Sequence, residues 1–387
     1  MSAQLEGPSL AAGIREAAAI GQKHAGDVDR NSRFPHEAVD ALRSCGALAA
    51  LVPVSLGGPE VPLPDVAAGC FELARACPAT GMVFAMHQIQ VGCLADVAAS
   101  EDFFRRYLAA MVTTPALIAS VTSEVGVGGD LRRSVAAVER DGDEIRLSKA
   151  GPTLSYGAHA DAFLITARRA PDAGESDQVV VLVRSPQAEI EPTSEWDSLG
   201  MRGTCSPGFR IRAACPAEQA SSVPFADIAT RTMVPYSHLL WAHVWLGIAT
   251  DASDRAAAFV RAQARGRPGV VPPTATRLSE LSTRLFTLRG VVDSAVGEYG
   301  RLRADGGDGL ATYGYAVRIN NLKIAASEGV LDVCHGALQI CGMAGYKNDT
   351  PFSVGRHIRD ALSASLMIGN DRIHATDASL LLAMKSA

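Results

Sequence analysis

The stretch HGALQICGMAGY at residues 335–346, followed by RHIRDALSASLMIGNDRI at 356–373, carries the most information about the fold. Its first part predicts a helix that ends at Gly342–Gly345 with a glycine C-cap and a loop. A new helix is predicted after Pro351, because proline cannot continue a helix. The end of one helix and the start of the next explain these residues by themselves, so a functional role for the stretch depends on the rest of the chain.

The composition predicts a cytoplasmic protein of two or three domains. The chain has 387 residues, of which 48% are apolar, and this length exceeds the size at which one hydrophobic core keeps growing. A formal net charge of -5 argues against nucleic acid or an anionic membrane as a partner. The eight cysteines form no CxxC pair and show no metal-ligand spacing, which predicts buried thiols in a reducing compartment and no metal site.

Two segments bear on whether the chain spans a membrane or carries a secretory signal. Residues 76–95 are uncharged and long enough to span a bilayer, but Pro78, His87 and Gln88 predict a buried helix instead. The start of the chain has no basic segment followed by an apolar run, so no secretory signal is expected. The sequence therefore predicts no membrane partner.

Hydrophobic periodicity divides the chain into three regions. Residues 1–113 are rich in Ala and Leu at helical spacing. Residues 114–225 contain β-branched runs such as QVVVLVRS and FRIRAAC between turn residues, which predicts antiparallel strands. Residues 226–387 return to helical spacing in four segments. The predicted fold class is α+β, with an N-terminal helical domain, a middle antiparallel β domain and a C-terminal four-helix bundle.

Two further stretches place hydroxyl groups beside glycines in the predicted β domain. ASVTSEVGVGGD at 119–130 ends in a glycine-rich turn, whose backbone N–H groups suit a pyrophosphate or the pyrimidine edge of a flavin. GPTLSYGAHAD at 151–161 places the hydroxyl of Ser155 in a strand-like segment, where it suits donation to a cofactor. A simple turn and a serine bonded to its local backbone are the alternatives for the two stretches.

In chain order, the first stretch is 119–130, the second is 151–161 and the third is 335–346 with 356–373. In that order and at these separations, they resemble the acyl-CoA dehydrogenase superfamily over nearly the whole chain. That family has, in the same order, segments close to VTEPGAGSD, KMWITNG, QILGGNGY and RDAKITEIYEGT. The resemblance implies FAD between the β domain and the bundle, and an acyl thioester as the usual substrate. It also implies a homodimer or homotetramer, because neighbouring subunits complete the FAD site in that family.

The resemblance carries the family's cofactor contacts onto particular positions of this chain. Ser155 falls where a threonine hydroxyl touches flavin N5, and a donor there favours the reduced flavin, on which negative charge builds. Arg261 falls near the arginine that binds the pyrophosphate, although the family's R-x-x-FG is RAQARG here. The other implied cofactor-binding residues are Ser120, Thr122 and Ser123 along the first stretch, Gln339 and Gly342 at the adenosine in a neighbouring subunit, and Asn370 and Arg372 after the catalytic position.

The resemblance breaks at the catalytic base. Dehydrogenation of a thioester needs a carboxylate to remove the α proton, and the family's glutamate falls on Ile368, which cannot accept a proton. The second place known for this glutamate falls at or next to Ser237, and no Asp or Glu occurs between Asp227 and Asp251. Neither of the two positions known for the base therefore holds a carboxylate.

Three residues are candidates to replace the missing base. Asp371 lies in the same loop as Ile368, His87 lies in FAMHQIQ, and His238 lies on the first bundle helix. A helix cap is the alternative for Asp371, and a satisfied core histidine is the alternative for His87. Near the flavin, two further departures are Gly129 in place of a serine that contacts the thioester arm, and Thr153 in place of a tryptophan.

Three functions are compatible with this pattern. The first is a flavin-dependent dehydrogenase that acts on an acyl thioester of CoA or a carrier protein and has a relocated base. The resemblance around Ser123 and Gln339 favours it. The second is a flavin-dependent monooxygenase, which uses reduced flavin and O₂ on a small molecule and needs a dry pocket but no strong base. The third is an inactive FAD-binding partner of an active homologue.

Overall fold

The computed structural model describes residues 7–384 and begins with helices. The fourth helix is apolar all round and nearly every residue in it is buried, so it lies in the interior. The helices of this region are α1 (Gly7–Arg30), α2 (His36–Ser44), α3 (Leu63–Ala76), α4 (Pro78–Ala98) and α5 (Asp102–Thr113). Among the described residues, none of the helices combines the length and the apolar character needed to cross a bilayer.

Seven strands follow and form two sheets. They are β1 (Ile118–Val121), β2 (Glu139–Asp141), β3 (Glu144–Gly151), β4 (Ala162–Arg168), β5 (Gln178–Arg184), β6 (Ala188–Pro192) and β7 (Phe209–Pro216). Along β3 and β7 every second residue is buried, as in a sheet with one face toward the core. Strands β4 and β5 are buried on both faces, in agreement with their continuous apolar runs.

One pair of strands differs from the predicted antiparallel arrangement. The four-stranded sheet, in the order β2-β3-β7-β6, is antiparallel throughout. In the three-stranded sheet, in the order β1-β4-β5, strand β1 runs parallel to β4. The chain between them passes through β2 and β3 in the other sheet, and such a long crossover permits parallel pairing.

The third region consists of helices that pack around α7 and α9. They are α6 (Phe225–Ile228), α7 (Val234–Gly266), α8 (Ala275–Ala304), α9 (Tyr313–Cys341), α10 (Met343–Tyr346), α11 (Gly355–Leu362) and α12 (Asn370–Ala383). Gly247 of α7 allows close contact with α3, because an added Cβ would lie 2.6 Å from the carbonyl oxygen of Phe71. The bundle therefore packs directly against the N-terminal helices.

The predicted fourth bundle helix is divided into α11 and α12. Residues 363–369 between them form turns, and Ile368 has a φ of +49°, in the left-handed region that a β-branched residue rarely adopts. At this break the carbonyl of Ile368 accepts a hydrogen bond from the side chain of Lys323 on α9. The overall order of helices, strands and helices confirms the predicted α+β fold class.

Candidate functional site

The first of the three stretches forms a loop after β1 that is anchored by a buried carboxylate. Glu124 accepts hydrogen bonds from the backbone N–H of Ala136 at 2.6 Å and from the hydroxyl of Ser134 at 2.7 Å. Its second oxygen also lies 3.5 Å from the ammonium of Lys149, and burial lowers the pKa of Lys149 to about 8. This network fixes the chain directly after the predicted flavin contact Ser123.

The hydroxyl residues of this loop lie at its open side. Ser123 is exposed, Thr122 and Ser120 are half-buried, and the hydroxyls of Ser120 and Thr122 are 3.4 Å apart. Gly151 at the end of β3 allows this chain to approach, because a Cβ there would lie 2.7 Å from the carbonyl oxygen of Ser123. The first two stretches are therefore neighbours, as the resemblance implies.

Ser155 in the second stretch is held between two backbone hydrogen bonds. The N–H of Leu154 donates to Pro207 at 2.9 Å, and the N–H of Tyr156 donates to Thr204 at 2.7 Å. The hydroxyl of Tyr156 donates to the carbonyl of Ile118 at the start of β1, at 3.0 Å. These contacts fix the chain on both sides of Ser155, which is half-buried, and Tyr156 joins this segment to β1.

The third stretch is attached to the bundle through Lys323. Its ammonium donates to the carbonyl oxygen of Ile368 at 3.0 Å and to the amide oxygen of Asn370 at 2.6 Å. The amide nitrogen of Asn370 donates in turn to Ser327 at 3.1 Å. Lys323 is fully buried, and burial lowers its pKa to about 8. The Ile368 side chain, 38% exposed, is thus presented by a fixed backbone.

Arg372 on α12 joins the third stretch to the first. Its guanidinium donates to the carbonyl oxygen of Gly129 at 2.7 Å. A Cβ on Gly129 would overlap the same guanidinium, so the guanidinium occupies the space that the side chain of a serine would need. Gly126, Gly128 and Gly129 all have positive φ, a conformation that glycine adopts without a steric penalty. The structure therefore brings the first two stretches and residues 368–372 of the third into one region between the β domain and the bundle.

Replacing Gly129 with serine should weaken the binding of a ligand in this region more than replacing Gly128 does. Both glycines have positive φ, so both substitutions carry a similar backbone strain of about 1 kcal/mol. Only the Cβ at position 129 meets Arg372, whereas the Cβ at 128 meets nothing within 4 Å. Flavin titration of the two variants isolates this collision. Equal dissociation constants for both variants would show that Arg372 moves aside at no cost.

Two of the three candidate bases are buried histidines bonded to the main chain. The Nε2 of His87 lies 2.7 Å from the carbonyl of Leu48, and its Nδ1 accepts from the N–H of Ile118 at 3.0 Å. Burial lowers the pKa of His87 to about 4, so it is neutral and both ring nitrogens are in use. The geometry therefore gives His87 a structural task that joins α4 to β1.

His238 and Asp371 are placed differently from each other. The Nδ1 of His238 lies 3.0 Å from the carbonyl of Ile319, and it must carry the proton to make this bond. Burial, with a contribution from Lys323, lowers the pKa of His238 to about 4, which makes it a weak base. Asp371 is exposed in the first turn of α12, where a carboxylate stabilises the helix dipole.

The residues predicted to contact adenosine and pyrophosphate lie elsewhere. Arg261 is exposed near the end of α7, and Gln339 is exposed near the end of α9. The amide of Gln339 lies 3.2 Å from Nε2 of His335, one turn earlier in the same helix. Gly342 ends this helix with a φ of +53°. Their exposure leaves them accessible to a second copy of the chain.

Sequence reasoning missed two residues of this region, Lys323 and Ser206. Lys323 stands between Leu322 and Ile324 in a largely apolar helix, and this position is a signal that an ammonium is buried. Ser206 has no such signal, since serines are common in turns. Its hydroxyl lies 2.9 Å from that of Ser155.

Sequence comparison assigns both helical regions to one family. A model of the acyl-CoA dehydrogenase N-terminal domain matches residues 10–115, and a model of the acyl-CoA dehydrogenase C-terminal domain matches residues 228–379. The chain belongs to the acyl-CoA dehydrogenase family. It is a flavin-dependent oxidoreductase on the acyl-CoA dehydrogenase fold, and the predicted family and enzyme class are confirmed.

Relatives within this family carry different names. The chain is 24% identical over 357 residues to the Mycobacterium tuberculosis protein named "Probable acyl-CoA dehydrogenase FadE25", covering 90% of this chain and 88% of that one. It is 25% identical over 354 residues to the amino sugar nitrososynthase DnmZ of Streptomyces peucetius, covering 88% and 84%. FMN-bound TdsC from Paenibacillus sp. A11-2, a dibenzothiophene monooxygenase, has the same fold, with a TM-score of 0.81, 22% identity and 98% coverage of both chains.

The residues of this region fit a flavin. Ser155 accepts a hydrogen bond from Ser206, so its own hydrogen is left for a ligand. The turn with Gly128 and Gly129 leaves backbone N–H groups open to close approach, and Arg372 adds a positive charge beside it. A bound flavin would supply two-electron chemistry, while the protein orients it and controls access of water.

Proposed function

We propose that this family member is a flavin-dependent monooxygenase that uses reduced flavin and O₂ to oxidise a small organic molecule. The observation that carries the proposal is Ile368, which stands at the position of the family's glutamate and is held there through its backbone by Lys323. Removal of an α proton requires a base at this point, whereas reaction with O₂ requires the exclusion of water. An alkyl side chain cannot meet the first requirement, and it adds no polar group that conflicts with the second.

The surroundings of Ile368 support this choice over dehydrogenation with a relocated base. His87 is committed to two main-chain groups, and His238 is buried beside the ammonium of Lys323 with a lowered pKa. Asp371 is exposed in the first turn of α12. An acyl thioester dehydrogenase remains the alternative, and it would have to use one of these groups as its base. A nitrososynthase and a monooxygenase among the similar proteins agree with the proposal.

The cofactor and the assembly form part of the proposal. In the proposed site Thr122, Ser123 and Ser155 contact the flavin ring. We favour FMN over FAD for two reasons. The family's pyrophosphate-binding motif is altered around Arg261, and the structure of TdsC, which has a similar fold, contains FMN. A homodimer or homotetramer is supported by large apolar side chains that are exposed on the bundle, namely Phe286, Met343, Tyr346, Leu381 and Leu382.

Restoring the carboxylate at residue 368 tests the proposal. Under anaerobic conditions the flavin of the wild-type protein should stay oxidised when acyl thioesters are added. Ile368→Glu should then bleach on the order of 100-fold faster than Ile368→Gln, since a positioned base contributes at least this factor. Glutamine is the matched control, because it has the same shape without the charge. Wild-type bleaching as fast as that of Ile368→Glu would show that a base exists elsewhere and would favour the dehydrogenase.

A further inference from the structure

Three hydroxyl groups form a row that ends at Ser155. The hydroxyl of Ser206 donates to the hydroxyl oxygen of Ser155 at 2.9 Å. On its other side, Ser206 lies 2.8 Å from the hydroxyl of Thr204, which is also 2.9 Å from the carbonyl oxygen of Met201. Thr204 and Ser206 are buried, whereas Ser155 is half-buried. The row therefore leads from the protein interior to the candidate site.

The backbone on both sides keeps this row in register. The segment around Ser155 is joined to the segment around Ser206 by Leu154 N–H to Pro207 and by Tyr156 N–H to Thr204. The second segment is itself fixed by Asp360 of α11, whose carboxylate accepts from the N–H of Met201 at 2.6 Å. The backbone positions of Ser155 and Ser206 are therefore fixed relative to each other.

The direction of the hydrogen bonds determines what Ser155 can do. A serine hydroxyl has one hydrogen to donate and two lone pairs to accept with. The hydroxyl of Ser206 is 2.9 Å from that of Ser155 and 3.2 Å from the carbonyl oxygen of Thr204, so Ser155 is the nearer acceptor for its one hydrogen. With one lone pair of Ser155 accepting this bond, the hydrogen of Ser155 is available to a group outside the row. Without Ser206, the hydroxyl of Ser155 would rotate among its rotamers, and a donor that is not preorganised stabilises developing charge poorly.

We propose that Ser206, backed by Thr204, is a positioning residue that orients the hydroxyl of Ser155 as a hydrogen-bond donor toward the flavin. This inference rests on the proposed function, in which Ser155 contacts the flavin. Ser206 acts only through Ser155 and touches neither flavin nor substrate. Its contribution is to hold the proton of Ser155 on the ligand side throughout the reaction with O₂.

A double-mutant cycle with Ser155→Ala and Ser206→Ala tests this role. Each single variant should weaken the binding of FMN, measured by fluorescence titration, by roughly twofold to tenfold, as expected for one hydrogen bond. Each should also shorten the transient absorbance that follows mixing of reduced protein with O₂. The double variant should match Ser155→Ala alone, because Ser206 has no effect once Ser155 is gone. Ser206→Thr, which keeps the hydroxyl, should recover the wild-type values.

Several results would overturn the inference. Ser206→Ala with wild-type FMN affinity and wild-type transient would do so, and so would additive effects of the two substitutions. Thr204→Val, which keeps the shape and loses the hydroxyl, should give a smaller change in the same direction if Ser206→Ala does not fold. A wild-type protein that binds no FMN would overturn the proposed function and this inference together, whereas a wild-type response in Ser206→Ala would overturn only the inference.

Discussion

Replacing Glu124 with glutamine should lower the free energy of unfolding by about 3–5 kcal/mol, the range measured when one partner of a buried ion pair is removed. The carboxylate accepts hydrogen bonds from Ala136 and Ser134 and lies 3.5 Å from the ammonium of Lys149, whereas glutamine has no charge and offers only one oxygen to these groups. The ammonium of Lys149 would remain buried with hydrogen bonds to Thr166 only. Chemical denaturation near pH 7 measures this loss.

An exposed ion pair nearby provides the control for this experiment. Arg133 pairs with Glu175, and both side chains are about half exposed. Glu175→Gln should therefore cost less than about 1 kcal/mol. Since Glu124 follows Ser123 directly, Glu124→Gln should also weaken flavin binding, which Glu175→Gln should not do. If the two substitutions lowered the free energy of unfolding equally, the buried network would not anchor the loop after β1.

Replacing Lys323 with methionine should lower the free energy of unfolding by about 2 kcal/mol, because two acceptors lose their donor. These are the carbonyl oxygen of Ile368 and the amide oxygen of Asn370. Lys347→Met, at an exposed lysine, is the matched control and should change little. Adding Ile368→Gly to Lys323→Met should recover about 1 kcal/mol, since glycine adopts positive φ without strain.

The pH dependence of stability gives an independent check on Lys323. Burial lowers its pKa from 10.5 to about 8 in the folded protein. Between these values the unfolded chain binds a proton that the folded chain has lost, so the stability of the wild-type protein should rise with pH. Lys149 contributes in the same direction. Lys323→Met should rise less steeply from pH 8 to 10, and an unchanged slope would show that Lys323 titrates normally.

The order of helices and strands was accessible from sequence because it depends on local periodicity. Runs such as QVVVLVRS and the helical spacing in α7 are properties of neighbouring residues. The break between α11 and α12 was not predicted, and one of its contacts is a bond from Lys323, 45 positions before Ile368. The parallel pairing of β1 with β4 likewise depends on a distant partner.

The candidate site shows the same division between local and distant information. The three stretches, and the absence of a carboxylate at Ile368, could be read directly from the sequence. The sequence predicts His87 as a candidate base, because the residues around it do not indicate that the main chain of Leu48 and Ile118 bonds to its ring. The sequence did not indicate Ser206, because its candidate role depends on a hydrogen bond to Ser155, 51 positions earlier.

The reaction of the reduced, flavin-loaded protein with O₂ tests the central claim most directly. The protein, loaded with FMN and reduced without air, would be mixed rapidly with O₂ and followed by absorbance. The proposed monooxygenase predicts a transient species that precedes the return of oxidised flavin, because such an enzyme must keep the product of flavin and O₂ from decomposing until the substrate has reacted. Reoxidation in a single phase with immediate release of hydrogen peroxide would contradict the claim that this site is built for oxygen chemistry.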